Sequence, residues 1–496
     1  MKTRILNIAL TAAVLVLGMT SCSDFLDMQP TSSANAAGSV TTTEDAQTII
    51  RGVMRKMTAT STYGRNMFLY ADAKGGDMII PDTGRGADDL YRFQHSASSG
   101  ANSGFWSGNY SYIMNMNSVI DQISALEEKG AKGFENVKGQ AYTLRAMFYF
   151  DLVRLYGLPY NYKPDSYGVP NILTAVGATA KPTRASVKEN YAQIVSDLES
   201  AVAIMPKATA KNLPSYYAAR ALQARVYLFM EDYDKALAAA KEVIESGKYK
   251  LYANDEWVAS WTKQNGNESI FELGIDAVSD NGLSSLGAYL VPRKFKSVSN
   301  LMGWYYASPT FLATLGEDAT DIRWGIMKEI GSQETKLTDA SYKGGCLKYV
   351  GDANMTGDGK ETGYAVNIKL IRLSEMYLIA AEAALHASSP DKAAAADYLN
   401  AIRKRSPALA PATAATITDD MILAERSKEL YGEGHRFFDM IRLNKTITFS
   451  DDLCGIPVSN RGKTIDRTSG MIVLPISKDE MNANPAIAEQ QNEAYK

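Results

Sequence analysis

Side chains that could carry acid–base, nucleophilic or metal chemistry are sparse in this chain. Its three histidines, His95, His386 and His435, show no H-x-x-x-H spacing, so a helical metal pair or a histidine base has little to build on. S-x-x-K occurs at Ser260…Lys263 and Ser389…Lys392 without S-D-N or K-T-G support. No G-x-S-x-G, phosphate-binding loop or dinucleotide glycine run is present. The carboxylate pairs Asp88-Asp89, Asp419-Asp420 and Asp451-Asp452 are neighbours in sequence, and no pattern fixes a second carboxylate opposite them. In "GDANMTGDGKETG" (351–363) Asp352, Asn354, Thr356 and Asp358 alternate as in a calcium loop. Gly363 stands where the bidentate glutamate belongs. A glycine-rich turn is the expectation there, and calcium is a weak one. The chain is expected to be no enzyme and to carry no cofactor.

Binding chemistry has more to draw on. The chain has 28 tyrosines and five tryptophans, and a flat ring suits the C–H face of a sugar or a peptide side chain. Such a ligand also needs side chains that satisfy its polar rim, because an unpaired buried polar group costs about 1–3 kcal/mol. Two stretches offer both. One is 82–106, with Arg85, Asp88, Asp89, Tyr91, Arg92, Asn102 and Trp106. The other is 289–306, with Tyr289, Arg293, Asn300, Trp304, Tyr305 and Tyr306. Trp304 and Tyr306 are the expected stacking rings, with Arg85 and Asp89 as polar partners and Tyr91 and Tyr289 beside them. Trp106 leads straight into a helix and is expected in the core.

One cysteine has a chemistry of its own. Lys2 and Arg4 precede a largely apolar run, Ile5 to Leu17, and Gly18-Met19-Thr20-Ser21 brings small residues up to Cys22. That is a secretory signal ending in a lipobox, whose cysteine is acylated and becomes the new N-terminus. The apolar run is shorter than the roughly 20 residues that span a bilayer. The next residues, Ser23-Asp24-Phe25-Leu26-Asp27, resemble the acidic export tag of surface lipoproteins, and that resemblance implies an outer-membrane protein, anchored by lipid on Cys22 and facing the cell exterior. Cys346 and Cys454 remain, and whether they pair is open from sequence.

The elements that must hold these residues read as mostly helical. Formal net charge is −3 with 22% charged residues, so no basic face is implied and nucleic acid is not an expected partner. Helical periods run over 45–57, 111–130, 136–157 and 186–206. Gly157 and Pro159 stop the third, and Ser186 with Glu189 forms a capping box on the fourth. Residues 72–104 read as a long loop. Residues 215–247 read as two helices joined at Glu231-Asp232, with Ala224, Tyr227 and Ala236 at tetratricopeptide offsets. Ala146 with Tyr149 and Ala381 with Ala393 repeat the pattern, and Ser389-Pro390 reads as an N-cap and first-turn proline. Between 250 and 365 the helical period weakens, and four of the five tryptophans lie there, at Trp257, Trp261, Trp304 and Trp324. The expected organisation is a signal peptide over 1–21 and a single domain over 22–496. That domain has an N-terminal helical part (22–249), a loop-rich binding lobe (250–365) and a C-terminal helical part (366–496).

Alternating charges mark the last part. Arg372, Glu375 and Glu382, then Glu425, Arg426, Glu429, Arg436, Asp439 and Arg442, are expected to pair between packed helices. At these residues the chain resembles the SusD/RagB family of nutrient-binding surface lipoproteins. The resemblance is carried by "CSDFLDMQP" after the signal, "LRAMFYFDLVRLYG", "ARALQARVYLFMEDYDKA", "RLSEMYLIAAEA", "ERSKELYGEGHRFFDMIR" and the closing "LPISKDEMNANPAIAEQQNEAY". It implies an irregular tetratricopeptide-like scaffold with a loop-rich lobe. It implies a TonB-dependent, SusC-like outer-membrane barrel as partner. The ligand it implies is a glycan or, in some branches, a peptide. A surface hydrolase or adhesin is the reading outside this family.

Overall fold

The computed structural model describes residues 38–98, 103–177, 179–275, 282–295, 298–299, 301–334, 336–350 and 366–496. Cys22 and the signal segment, the calcium-like run at 351–363, Asn102 and Asn300 lie outside the described residues. About half of the described chain is helical, and its strands are few and short.

The N-terminal part holds the helices α1 (Thr43–Met57), α2 (Asn66–Lys74), α3 (Asp88–Arg92), α4 (Ser103–Glu128), α5 (Glu135–Tyr156), α6 (Val187–Ile204), α7 (Tyr216–Met230) and α8 (Tyr233–Glu245). Helix α1 packs on α4 and α5, α2 packs on α3, and α4 to α8 form a row, each packed on the next. Local chemistry sets their ends. Helix α5 stops at Gly157. At α6 the Glu189 N–H donates to Ser186 Oγ (3.2 Å) while the Ser186 N–H donates to Glu189 Oε2 (2.7 Å), which satisfies two orphan donors at once. Between α7 and α8, Glu231 is left-handed (φ 59°) and Asp232 caps the second helix. The loop expected over 72–104 carries the end of α2, a two-residue strand and the five-residue α3.

Ala224 and Ala236 are fully buried where α7 meets α8, with Tyr227 packed beside them. Small residues there let the two backbones approach. Helix α8 then packs on α9 (Leu373–His386), and α9 on α10 (Lys392–Arg403), so the row continues across the intervening lobe. Two expectations for this second pair are corrected. Asp391, not Ser389, caps α10, accepting from the Ala394 N–H. Ala393 faces solvent and Ala395 and Ala396 are the buried small residues. The C-terminal part adds α11 (Asp419–Leu430) and α12 (Arg436–Arg442).

The middle lobe joins the helices through strands. β1 (Met78–Ile79) pairs antiparallel with β3 (Tyr306–Ala307), and β2 (Ser269–Leu273) with β4 (Ile368–Arg372). One apolar cluster runs from Val40 to Ile487 through all three parts. Cys346 and Cys454 are buried free thiols. No helix of the described residues is long and apolar enough to cross a membrane.

The alternating charges are paired as expected, although Arg372 lies at the end of β4 and not on a helix. Arg225 meets Glu375 through two 2.6 Å bonds, Arg426 meets Asp439 at 2.8 Å, and Arg442 holds both Asp439 and Glu382. The largest group is buried between the lobe and the C-terminal helices. There Arg323, Arg372 and Arg405 are shared among Glu268, Asp321, Glu425, Glu429 and Glu433.

Candidate functional site

The two stretches singled out for binding do meet. The turn before α3 bends through Gly84 (φ +79°), Gly86 (φ +78°) and Ala87 (φ +58°), a left-handed run that favours glycine. This turn lies on the segment that ends in Trp304. A Cβ at Gly86 would sit 2.9 Å from two carbons of the Trp304 ring, so both the φ and the contact require glycine. On another side the indole packs against Tyr289, with centroids 4.4 Å apart and planes at 58°. The Arg65 guanidinium lies 4.1 Å from the Tyr289 ring centroid, and its Nη1 donates to the Ser284 carbonyl at 2.9 Å. Trp304 is thus fixed between the Tyr289 ring and the Gly86 backbone, with Arg65 holding Tyr289, and remains half-buried, with part of its surface open to solvent.

Two ion pairs clip the turn to the lobe. Arg85 Nη2 donates to Glu334 Oε2 at 2.9 Å, and its Nη1 to the Gly303 carbonyl at 3.4 Å. Asp82 meets Lys336 at 2.7 Å, and that bond holds the Asp82 carboxyl below its usual range. Tyr305 adds a hydrogen bond from its hydroxyl to the Ala87 carbonyl.

Three of the expected rings, Tyr306, Tyr289 and Tyr91, are buried, and their stacking or contact roles are corrected, while Asp89 is only partly buried. Tyr306 is fully buried, and its hydroxyl donates to Glu334 Oε1 at 2.8 Å, so it works beneath Arg85. Burial and the Glu334 charge push its phenol well up. Tyr289 is buried as the support of Trp304. Tyr91 is buried against Phe449 in an edge contact at 5.7 Å, with Arg461 at 4.9 Å from its ring. Asp89 has a carboxylate oxygen buried, and its charge acts on the buried Lys74. The cause is common: a large ring under a loop gains more by covering apolar area than by facing water. Trp106 is buried, as expected for a core residue.

Of the six residues, then, Arg85 and Trp304 share a surface, and Tyr289 and Tyr306 hold them from below. Gly86, Arg65 and Glu334 were missed. Gly86 had a local signal, the glycine–arginine–glycine run 84–86. Glu334 had none, being 249 residues from Arg85. The face combines one fixed, partly open indole with cation–carboxylate pairs, which suits a ligand with a C–H face and a hydroxyl rim. Among the described residues no group of three or more histidine, cysteine, aspartate or glutamate side chains is placed to hold a metal.

Comparison with known proteins agrees along the chain. A family model described as "Starch-binding associating with outer membrane" matches residues 24–228, and the SusD family model matches residues 317–495. A SusD superfamily structure from Bacteroides thetaiotaomicron is 31% identical with a TM-score of 0.81, covering 91% of this chain and 99% of that one. A putative sugar binding protein from Bacteroides vulgatus is 30% identical with a TM-score of 0.81, covering 92% of this chain and 100% of that one. Among curated proteins, SusD-like protein P38 of Formosa agariphila is 25% identical over 99% of both chains.

Proposed function

Because the chain belongs to the SusD/RagB family, we propose that it is a non-catalytic surface lipoprotein that binds a glycan and passes it to a TonB-dependent, SusC-like transporter. The observation that carries the glycan reading is the Trp304 face: a partly open indole with Arg85 clipped beside it. The match to a starch-binding family model and the 30% likeness to a putative sugar binding protein support the same ligand class. The carboxylates that clip the turn, Asp82 and Glu334, are each paired with a cation, an arrangement for holding rather than for proton transfer. Anchoring rests on the lipobox at Cys22. Each buried CH₂ of an acyl chain contributes about 0.8 kcal/mol, so several chains hold firmly.

A panel of α- and β-linked oligosaccharides, scored for both retention and turnover, tests this. One class should be retained without cleavage. Trp304→Ala should weaken that binding by about tenfold, the factor that ~1.4 kcal/mol represents. Full affinity in a folded Trp304→Ala protein would move the site elsewhere. In cells, Cys22→Ala should shift the protein out of the outer-membrane fraction. Retention and surface labelling of that variant would overturn the lipid anchor.

A further inference from the structure

A second cavity is lined by none of the residues that make the Trp304 face. It is a cleft of about 560 Å³, within the range of ligand pockets. The N-terminal half of α4 forms one wall, with Trp106, Tyr110 and Met114. Pro170, Ile172 and Val176 form a second wall, and Pro475, Asp479 and Glu480 a third.

The walls are fastened to one another, so the cleft is preformed. Trp106 Nε1 donates to Glu480 Oε2 at 3.2 Å. The Lys478 N–H donates to the Ala97 carbonyl at 2.7 Å, and Asn484 Nδ2 to the Pro182 carbonyl at 2.7 Å. The Tyr110 hydroxyl donates to the Pro170 carbonyl at 2.9 Å. Between these ties the lining is mixed: Met114, Ile172, Val176 and three prolines are apolar, Ser96, Ser98, Ser107 and Ser477 are polar, and Val176 leaves an apolar lip, 41% exposed. Its charged members are the carboxylates of Asp479 and Glu480 and the exposed Lys478. Lys181, next in sequence to the lining residue Pro182, turns its ammonium onto the Ala483 carbonyl.

This chemistry differs from that of the Trp304 face. The Trp304 face presents the Arg85 cation, whereas the cleft sets two carboxylates, Asp479 and Glu480, beside prolines, aliphatic side chains and a methionine, and a carboxylate at the edge of such a partly apolar cavity attracts a protonated amine. We propose that the cleft is a second binding site, for a small ligand with an apolar body and a cationic amine held by Glu480.

The test uses the folded chain and calorimetric titration with 4-phenylbutylamine, its acid counterpart 4-phenylbutyrate, and cellobiose. The amine should bind at least tenfold more tightly than the acid. Glu480→Gln, which keeps an acceptor for Trp106, should erase that preference. Ser107→Trp, an exposed lining position on α4, should fill the cleft and abolish amine binding. Trp304→Ala should leave amine binding unchanged, which separates this site from the glycan face. Absence of amine binding, equal binding of the acid or the sugar, or unchanged binding in Ser107→Trp would each overturn the proposal.

Discussion

Glu429→Ala is expected to destabilise the protein by about 3–5 kcal/mol, the range for removing one partner from a buried charge group. Glu429 is fully buried, with Arg372 and Arg405 each at 3.1 Å and Arg323 at 3.6 Å. It also accepts the Trp257 Nε1–H at 3.3 Å, and its own carbonyl accepts from Lys348 at 2.8 Å. Burial alone would push this carboxyl up, but Arg405, Arg372, Arg323 and Lys348 outweigh burial and hold it at about 2. Without it three buried guanidiniums lose a shared counter-charge, and what remains to neutralise them is Glu268, Asp321, Glu425 and Glu433. Because the group joins the middle lobe to α11, the loss should appear in global unfolding, not in local fraying. Glu429→Gln keeps shape and an acceptor and should cost less. The folded carboxyl lies below its unfolded value of 4.5, so its contribution is present above that pH and is lost as pH falls toward 2. Chemical unfolding at pH 7 and pH 3 checks both parts. A loss under 1 kcal/mol at pH 7 would show that the group is held by other contacts.

That cluster also shows where sequence reasoning reaches and where it stops. The capping box at Ser186, the stop at Gly157 and the turn at Glu231-Asp232 are decided within four residues, and each was legible. So was the charge alternation on α9, α11 and α12. The partners across the fold were not: Arg225 lies 150 residues from Glu375, and Arg323 lies 102 from Glu425. In α10 a run of four alanines, 393–396, leaves the buried face undetermined until the helix start is known, and Ser389 and Asp391 are both capping types. The same limit applies to the candidate site. Tyr91, Tyr306 and Trp304 all read as aromatics in loops. Only the packing of the turn at Gly86 and of Glu334 beneath Arg85 separates the ring left open from those that are covered.

Asp72→Asn is expected to stabilise the protein at pH 8 by up to about 4 kcal/mol, and by little at pH 4. Asp72 sits on α2, 2% exposed, and accepts backbone N–H bonds from Gly434 at 2.8 Å and Arg436 at 3.4 Å. Burial raises its carboxyl to about 7, and the neighbouring Asp77 charge adds to this against the pull of the two N–H groups and Lys348. Asp77 is itself held by Arg436 at 3.1 Å and by the Ser427 hydroxyl at 2.6 Å, so Arg436 is already engaged. The unfolded carboxyl titrates near 3.8. Between that value and about 7 the folded state keeps a proton that the unfolded state releases. Native stability therefore falls by about 1.36 kcal/mol per pH unit over this window and levels off above it. Asparagine keeps an oxygen for the Gly434 N–H and never ionises, so it removes the slope. Whatever its extra N–H groups cost is the same at both pH values, and the readout is the difference between them. Urea unfolding of both proteins at pH 4 and pH 8 measures it, and a stability difference that does not change with pH would mean that Asp72 is ionised in the folded protein throughout.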